Sequence, residues 1–351
     1  MHLKKTFVVA ILFSVVVVFL QCSKNHLPLP VVPEITVLPQ LPAAPFNYID
    51  AYPKFIQDSL AVNDNTPADN GITNDGATLG RVLFYDKHLS KNNTTSCASC
   101  HKAETAFSDN AIFSKGFMGG LTTRNSMALL NLRFYKSGKM FWDERAPTLE
   151  KLILQPIQNS VELGLTLGEL ETKVKGLSYY PDLFQKAFGS TQIDSVKIAK
   201  AVSQFLRSIV TFKSKYDMVK QGLATFTPDE AAGEQLFLTP PAGAPAGAFF
   251  CAGCHTPPMF LTSSPIAPFT HIDANDHGIN NENRFKAGSL RNIALTAPYF
   301  HNGDMPTLNS LLNSFPVHNV PAPDAAKLLA FLQTLTDNSV TTDPRFSDPF
   351  K

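Results

Sequence analysis

The chain has 351 residues, with 30 basic and 29 acidic side chains and a formal net charge of +1. This near balance excludes the strongly basic surface that nucleic-acid binding requires. A chain of this length exceeds what one hydrophobic core usually organises, so we expect two domains.

The first residues have the features of an export signal. Lys4 and Lys5 precede an apolar run over 7–20, which is shorter than the roughly 20 residues of a membrane-spanning helix. Cys22 follows this run, at the place where a bacterial lipoprotein is cleaved and acylated. We therefore expect 1–22 to be a lipoprotein-type signal segment, so that the protein lies on the periplasmic side of the cell envelope, lipid-anchored through Cys22. The alternative is a cysteine that is lost with a cleaved signal peptide.

The remaining chain divides by composition and by an internal repeat. A proline-rich segment over 23–46 lacks periodicity and predicts an extended tether. Beyond it, a Gly-x-x-x-Phe pattern occurs twice, ending 13 and 14 residues before a cysteine; the copies are Gly80 to Phe84 before Cys97, and Gly233 to Phe237 before Cys251. The repeat predicts an N-terminal domain over 47–221 and a C-terminal domain over 222–337. We expect a tail over 338–351 to pack back on the N-terminal domain.

Helical signals dominate both copies, and strand-like alternation is scarce. The second copy has a capping box at Thr227 and Glu230, with Pro228 at the first helical position. One apolar stripe with helical spacing predicts a core-facing helix between the copies; its residues are Ile198, Val202, Phe205, Ile209 and Phe212. Asp324 could cap a last helix whose apolar face includes Leu328 and Leu335. The predicted fold class is mainly α, with two small domains of one kind and long ordered loops.

Two Cys-x-x-Cys-His units carry the chemistry. They are Cys97, Cys100 and His101, and Cys251, Cys254 and His255. Two thiols that add to vinyl groups, with a histidine directly behind them, are the requirement for covalent c-type haem. A zinc ribbon would place its cysteine pairs within about 20 residues of each other, and these pairs are far more widely separated. The units therefore predict two covalently bound c-type haems.

Several further blocks keep the order and spacing of a known family. They are Ala106 to Asp109, Arg124-Asn125, Phe141 to Ala146, Asn159 to Gly164, and Phe285 to Gly303. In these blocks the chain resembles the bacterial diheme cytochrome c peroxidases, which include the MauG-type enzymes that oxidise a protein substrate. The resemblance implies two cytochrome-c-like domains, with the peroxide-reactive haem in the N-terminal one. It also implies a homodimer.

The resemblance assigns roles residue by residue. His101 and His255 would be the proximal iron ligands, and Glu162 would be the distal carboxylate that moves a proton between the two peroxide oxygens. Trp142, the only tryptophan, would relay electrons between the haems, although a single tryptophan is more often part of a core. An inter-haem calcium ion would be held by oxygen atoms of three residues, which are Asn125, Thr296 and Pro298.

The sequence departs from the family at three ligand positions. Phe117 stands where relatives have a removable histidine, so we expect the N-terminal iron to stay open; the adjacent Met118 is interpreted as core packing. Phe315 stands where relatives place methionine or tyrosine on the C-terminal iron, which leaves His318, Met305 or no protein ligand. We favour His318. Leu152 replaces a distal glutamine, for which Gln155 is a conjectural substitute.

These features favour a peroxidase that reduces hydrogen peroxide to water. Its electrons would come from a small periplasmic cytochrome c or copper protein, enter at the C-terminal haem and pass to the N-terminal haem. One alternative is MauG-type oxidation of a protein or organic substrate, since a C-terminal haem without an axial methionine stores electrons at a lower potential. Another is a diheme electron carrier without a catalytic step.

Overall fold

Helices joined by long ordered loops make up the part of the chain that the computed structural model describes, residues 37–240, 250–262, 276–313, 318 and 320–351. Within these ranges β structure is limited to isolated bridges, which confirms the mainly α prediction. None of the helices in these ranges has the length and apolar character needed to cross a bilayer. The expected signal segment with Cys22, tether residues 23–36 and Phe315 lie outside the described residues. The description below concerns the compact unit Leu38–Lys351.

The α-helices of the described residues are numbered in chain order. They are α1 Lys54–Asn63, α2 Asn74–Tyr85, α3 Cys97–Cys100, α4 Leu149–Gln158, α5 Leu167–Lys175, α6 Tyr180–Phe188, α7 Ser195–Ser208, α8 Lys215–Lys220, α9 Pro228–Leu238, α10 Cys251–Cys254, α11 Leu308–Leu312, α12 Ala322–Gln333 and α13 Ser339–Thr342. Helix α9 begins at Pro228 with Thr227 and Glu230 in a capping box, so the predicted start is confirmed.

Two other helix predictions are partly wrong. The apolar stripe forms the buried face of α7, but this helix ends at Ser208, before Ile209 and Phe212. The chain leaves the helix there because the carbonyl oxygen of Ile209 accepts a hydrogen bond from the N–H of Asn131 at 2.9 Å. Asp324 does not cap α12, which begins two residues earlier, behind Pro321. Proline fits the first turn of a helix, and two prolines there determine the start.

Each half of the unit has its own hydrophobic core, built on a crossing of two helices. Helix α2 packs on α7 in the N-terminal half, and α9 packs on α12 in the C-terminal half. A Cβ atom on Gly80 would lie 2.0 Å from the carbonyl oxygen of Ala201, and one on Gly233 would lie 2.1 Å from that of Lys327. The repeated glycine therefore lets two backbones touch at equivalent places.

Aromatic packing repeats in the same way. In each half, one ring from the first helix contacts a ring from the crossing helix and a ring from the loop behind the Cys-x-x-Cys-His unit, with centroids 5.4 to 6.0 Å apart. The equivalent triads are Phe84, Phe205 and Phe107, and Phe237, Phe331 and Phe260. Both halves thus use one packing scheme, as the sequence repeat predicts; their boundaries at 47, 221 and 337 stay predictions.

Residues 338–351 contact the N-terminal core. The hydroxyl of Tyr85 donates a hydrogen bond to the carbonyl oxygen of Phe346 at 2.5 Å, and the guanidinium of Arg81 donates to that of Pro344 at 2.6 Å. The ring of Phe346 lies edge-on to Phe107 at 6.4 Å. Phe346 is 2% exposed, so this segment completes the core that carries the first Cys-x-x-Cys-His unit.

Alanine at Gly80 is expected to destabilise the protein, because the new methyl group meets a helix backbone that has no room to move. Overpacking of this kind costs about 1–3 kcal/mol, and urea denaturation followed by circular dichroism measures it. Gly168 in α5 is the matched control, since a Cβ atom there has nothing within 4 Å. Alanine at Gly168 should raise the free energy of unfolding by about 0.4–1 kcal/mol. Equal effects at the two glycines would contradict the close helix crossing.

Candidate active site

The first Cys-x-x-Cys-His unit lies on the short helix α3. Cys97 and Cys100 are one helical turn apart and share a face. Burial raises the pKa of Cys97 to about 12 and that of Cys100 to about 11. Nδ1 of His101 lies 3.1 Å from the carbonyl oxygen of Phe107, which leaves Nε2 as the metal-binding nitrogen. The unit therefore offers two partly buried thiols and an oriented imidazole, the set that covalent haem requires.

The second unit repeats this arrangement on α10, where Cys251 and Cys254 are again one turn apart. Burial lowers the pKa of His255 to about 4, and the carbonyl groups of Phe260 and Gly288 oppose that fall. The imidazole is therefore neutral at physiological pH, which is the form that binds iron. Both units fit the prosthetic group that the sequence predicts.

Glu162 lies in a tight turn behind α4. The side-chain oxygen of Asn159 accepts hydrogen bonds from the N–H groups of Val161 at 2.8 Å and Glu162 at 3.3 Å. Gly164 has φ +71°, and a Cβ atom there would lie 2.5 Å from the ring of Phe117. The N–H of Phe117 donates to the carbonyl oxygen of Glu162 at 3.2 Å. The turn therefore holds Glu162 beside Phe117, whose side chain has no atom that binds iron.

The charges around Glu162 connect it to the first unit. Burial raises the pKa of Glu162, and the positive charge of Arg145 opposes the rise. The Glu162 carboxylate in turn adds to the rise in the pKa of the Cys97 and Cys100 thiols, so its charge acts on the first unit. Met118 is 81% exposed, and its interpretation as core packing is wrong, because the loop turns this side chain to solvent.

Arg145 is a site residue that the sequence did not single out. Its guanidinium lies 3.7 Å from the centroid of the Phe141 ring, and its Nη1 bonds to a carboxylate oxygen of Asp143 at 2.9 Å. Its Nε donates to the side-chain oxygen of Gln155 at 3.4 Å. The conjectured distal Gln155 is therefore engaged by Arg145. Only the Trp-Asp-Glu-Arg block pointed to this arginine, and spacing alone does not show that it approaches Glu162.

Trp142 is fixed where the two halves meet. Its indole Nε1 donates to the carbonyl oxygen of Asn125 at 2.8 Å, and the N–H of Asn125 donates to that of His301 at 2.7 Å. The indole lies edge-on to the His301 ring at 6.5 Å, and His301 stacks on Phe285 at 3.6 Å. The candidate relay residue therefore has a single defined orientation between N-terminal and C-terminal elements.

Arg124 closes the same junction. Two of its nitrogens donate to the two carboxylate oxygens of Asp276 at 2.6 and 2.7 Å, and a third lies 2.7 Å from an oxygen of Asp143. Its guanidinium lies 5.8 Å from the centroid of the Phe285 ring. A bidentate pair of this kind fixes orientation as well as charge, so Arg124 ties the Trp142 loop to the C-terminal half.

Each of the candidate calcium ligands lies in a local arrangement of its own. The side-chain nitrogen of Asn125 donates to the carbonyl oxygens of Ala111 and Ile112 at 3.0 and 3.2 Å. The hydroxyl of Thr296 donates to a backbone carbonyl 3.3 Å away, and Pro298 follows a cis peptide bond. Among the described residues no three His, Cys, Asp or Glu side chains gather as a metal site. The calcium site stays a prediction.

His318 is the candidate axial residue that the structure connects to the second unit. Burial lowers its pKa to about 4, and the nearby His255 lowers it further. Its ring lies nearly parallel to that of Phe300, with the centroids 6.0 Å apart, and its Nδ1 is buried. Met305, the other candidate axial ligand, forms an isolated β-bridge with Tyr299 through its backbone. His318 therefore lies near enough to His255 to interact with it electrostatically, and its role as sixth ligand stays a prediction.

Comparisons with known proteins identify the family that this chain resembles. A family model described as di-haem cytochrome c peroxidase matches residues 74–225, and one described as RoxA-like, cytochrome c-like matches residues 285–319. The chain is similar to a cytochrome c551 peroxidase of Nitrosomonas europaea, with 31% identity that covers 75% of this chain and 80% of the relative. It is also similar to the methylamine utilization protein MauG of Methylorubrum extorquens, with 30% identity covering 71% and 70%.

Solved structures show the same likeness. A MauG-like protein associated with microbial copper homeostasis aligns with a TM-score of 0.73 and 31% identity, covering 85% of this chain and 98% of that one. The diheme peroxidase BthA from Burkholderia thailandensis aligns with a TM-score of 0.62 and 22% identity, covering 78% and 89%. The second likeness concerns the fold alone.

Proposed function

Because the chain belongs to the di-haem cytochrome c peroxidase family, we propose that it reduces hydrogen peroxide to water with electrons from a small periplasmic cytochrome c or copper protein. The electrons would enter at the C-terminal haem and pass to the N-terminal haem. The two c-type haems supply the iron chemistry of peroxide reduction. The observation that carries the proposal is the raised pKa of the buried Glu162 carboxyl, whose charge acts on the thiols of the first Cys-x-x-Cys-His unit.

Glu162 would move the proton that this reaction needs. As a carboxylate it accepts the proton of one peroxide oxygen, and as a carboxylic acid it returns that proton to the other oxygen, which leaves as water. Burial raises the pKa of Glu162, so it gains and loses a proton more readily near neutral pH than an exposed glutamate does. Its turn, fixed by Asn159 and Gly164, keeps the carboxyl in place between the two transfers.

Trp142 would carry electrons across the junction between the halves. Its hydrogen bond to Asn125 and its contact with His301 hold the indole in one orientation, which keeps any electron path of constant length. The inter-haem calcium ion at Asn125, Thr296 and Pro298 and the homodimer belong to the same proposal and come from the family resemblance. The lipid anchor at Cys22 also belongs to it and comes from the signal-like segment that precedes this cysteine.

Steady-state turnover tests the proposal. The haem-loaded protein with hydrogen peroxide and a reduced small cytochrome c should oxidise the cytochrome rapidly and catalytically. The oxidised protein should also change its absorption spectrum on mixing with peroxide, because Phe117 leaves the first iron open. Two haems that are both six-coordinate and low-spin, and no spectral change, would instead support a pure electron carrier.

A MauG-type reaction is the second candidate, and His318 favours it. An imidazole in place of an axial methionine lowers the reduction potential of the C-terminal haem, which makes that haem a poorer electron store. The similarity to a MauG-like structure at 31% identity agrees with this candidate. Slow cytochrome turnover together with long-lived oxidised states after peroxide addition would favour oxidation of a protein or organic substrate.

The His318→Ala variant should lose the low-spin resonance of the C-terminal haem and gain a high-spin signal, because the iron loses its sixth ligand. Electron paramagnetic resonance of the oxidised protein measures this change. His277→Ala is the matched control, since this exposed histidine bonds to Asn283 at 3.0 Å. An unchanged low-spin signal in His318→Ala would show that another group binds the iron.

Removal of the Arg145 charge should shift the pH dependence of peroxide reduction. Arg145 opposes the rise in the pKa of Glu162, so Arg145→Gln lets that pKa rise further. Because the carboxylate form accepts the first proton, kcat/KM for peroxide should then begin to fall at a higher pH as the solution is acidified. Lys151→Gln on α4 is the control for a lost surface charge. Coincident pH profiles for the Arg145→Gln variant and the unaltered protein would contradict this role.

A further inference from the structure

A buried carboxylate with two tyrosines bound to it lies at the end of α2. One oxygen of Asp86 accepts hydrogen bonds from the hydroxyls of Tyr179 at 2.7 Å and Tyr180 at 2.6 Å. Its other oxygen accepts from the backbone N–H of His88 at 2.8 Å and lies 2.7 Å from its ring nitrogen. Asp86 is 1% exposed. Two phenols therefore share one acceptor inside the protein.

The two phenol rings extend from the core to the surface. Their centroids are 4.6 Å apart, Tyr180 is fully buried and Tyr179 is half-buried. Tyr180 contacts Phe184 in the core at 6.2 Å, and Tyr179 contacts Phe350 at 6.2 Å. Burial and the neighbouring carboxylate both raise the pKa of each phenol, so both keep their protons in the resting protein.

A series of close contacts joins this pair to the first Cys-x-x-Cys-His unit. The carbonyl oxygen of Phe107 lies 3.1 Å from Nδ1 of His101, and the Phe107 ring contacts Phe84 at 6.0 Å. Phe84 contacts Tyr85 at 5.2 Å, and Asp86 is the next residue. These aromatic contacts lead from the proximal ligand His101 to Tyr85. The peptide bond between Tyr85 and Asp86 completes a continuous path to the carboxylate that binds both tyrosines.

We propose that Tyr179 and Tyr180, with Asp86 as proton acceptor, form a second oxidation site at which small phenolic donors such as hydroquinones give up electrons. This inference rests on the proposed peroxidase function, which supplies the oxidant. Oxidation of a phenol makes its proton strongly acidic, and a carboxylate already within hydrogen-bond distance accepts that proton without rearrangement. A surface-facing Tyr179 gives a small donor access that the buried Tyr180 does not.

The reaction balances over one peroxide and two donors. The tyrosine pair is oxidised twice for each peroxide. In each oxidation the pair loses one electron, and the phenolic proton moves to Asp86. A donor phenol then returns one electron to the tyrosyl radical, Asp86 returns the proton, and the donor releases its own proton to water. Hydrogen peroxide takes up two electrons and two protons and forms two waters. The net change is two phenols and one peroxide to two phenoxyl radicals and two waters.

Freeze-quenched electron paramagnetic resonance tests the pair in the haem-loaded protein. After peroxide addition without a donor, a tyrosyl radical should appear in the unaltered protein and be lost in the Y179F/Y180F double variant. Hydroquinone turnover should be lost with it, while turnover with reduced cytochrome c is retained. Asp86→Asn should lower the radical yield with both rings present, because an amide does not accept the proton.

Tyr48→Phe is the matched control, since this buried tyrosine donates to a carbonyl oxygen, that of Arg345 at 3.2 Å, and not to a carboxylate. A radical that persists in the double variant, or peroxide consumption without any tyrosyl radical, would overturn the inference alone. If peroxide is not consumed, the proposed function fails. A flash-photolysed ruthenium oxidant then tests the pair directly, and the absence of a tyrosyl signal there would also overturn the inference.

Discussion

Glutamine in place of Glu162 is expected to lower kcat/KM for hydrogen peroxide by roughly 10²–10⁴-fold, the usual contribution of one positioned acid–base group. The amide keeps the size of the side chain and the turn around it, but it neither accepts nor returns a proton. The acid limb of the pH profile should disappear together with the activity, because the group whose raised pKa produces it is gone. Haem content should stay unchanged, since both attachment units are intact.

Cytochrome c oxidation at several pH values, with the haem content of each sample measured separately, gives this result directly. Glu104→Gln is the matched control, because Glu104 is an exposed carboxylate in the short 3-10 helix Ala103–Thr105 behind His101. The control should behave as the unaltered protein does. A Glu162→Gln variant with undiminished kcat/KM would remove the main support for the proposed proton transfer.

Methionine in place of Arg291 is expected to cost about 3–5 kcal/mol of the free energy of unfolding, as the loss of one partner from a buried ion pair does. Two guanidinium nitrogens of Arg291 donate to the two oxygens of Asp217 at 2.8 and 2.9 Å, and both side chains are 0% exposed. A third donates to the carbonyl oxygen of Pro258 at 2.9 Å. The variant leaves a carboxylate charged and buried without its partner.

Denaturation of the haem-loaded protein in urea measures this loss. The double variant R291M/D217N should lose less than the two single losses added together, because it removes both charges. Lys54→Met is the surface control, since its pair with Asp58 is largely exposed and such pairs contribute about 0.3–0.5 kcal/mol. A loss at Arg291 as small as the one at Lys54 would show that the buried pair does not stabilise the fold.

Local sequence signals predict much of this structure because their causes are local. The two attachment units, the capping box at Thr227 and the repeated Gly-x-x-x-Phe pattern each depend on residues a few positions apart. The end of α7 was predicted too late, because the carbonyl oxygen of Ile209 accepts a hydrogen bond from Asn131, a residue distant in sequence. The spacing of apolar residues does not predict that hydrogen bond.

The sequence predicted which residues belong to the candidate site better than it predicted which of them lie near each other. Family spacing identified Glu162, whose charge acts on the thiols of Cys97 and Cys100. The approach of Arg145 to Glu162, and of His318 to His255, depends on how loops fold over the cores, and no short pattern encodes it. Asp276, which pairs with Arg124 across the junction, carried no signal at all.

The contact of Phe346 with Phe107 has a consequence for biogenesis. Residues 338–351 are synthesised after both attachment units, yet they complete the core around the first one. The core of the N-terminal half is therefore still incomplete while the chain is being synthesised. A nascent chain halted after the second unit should remain sensitive to protease in its first half, although every residue that binds the first iron has already been made.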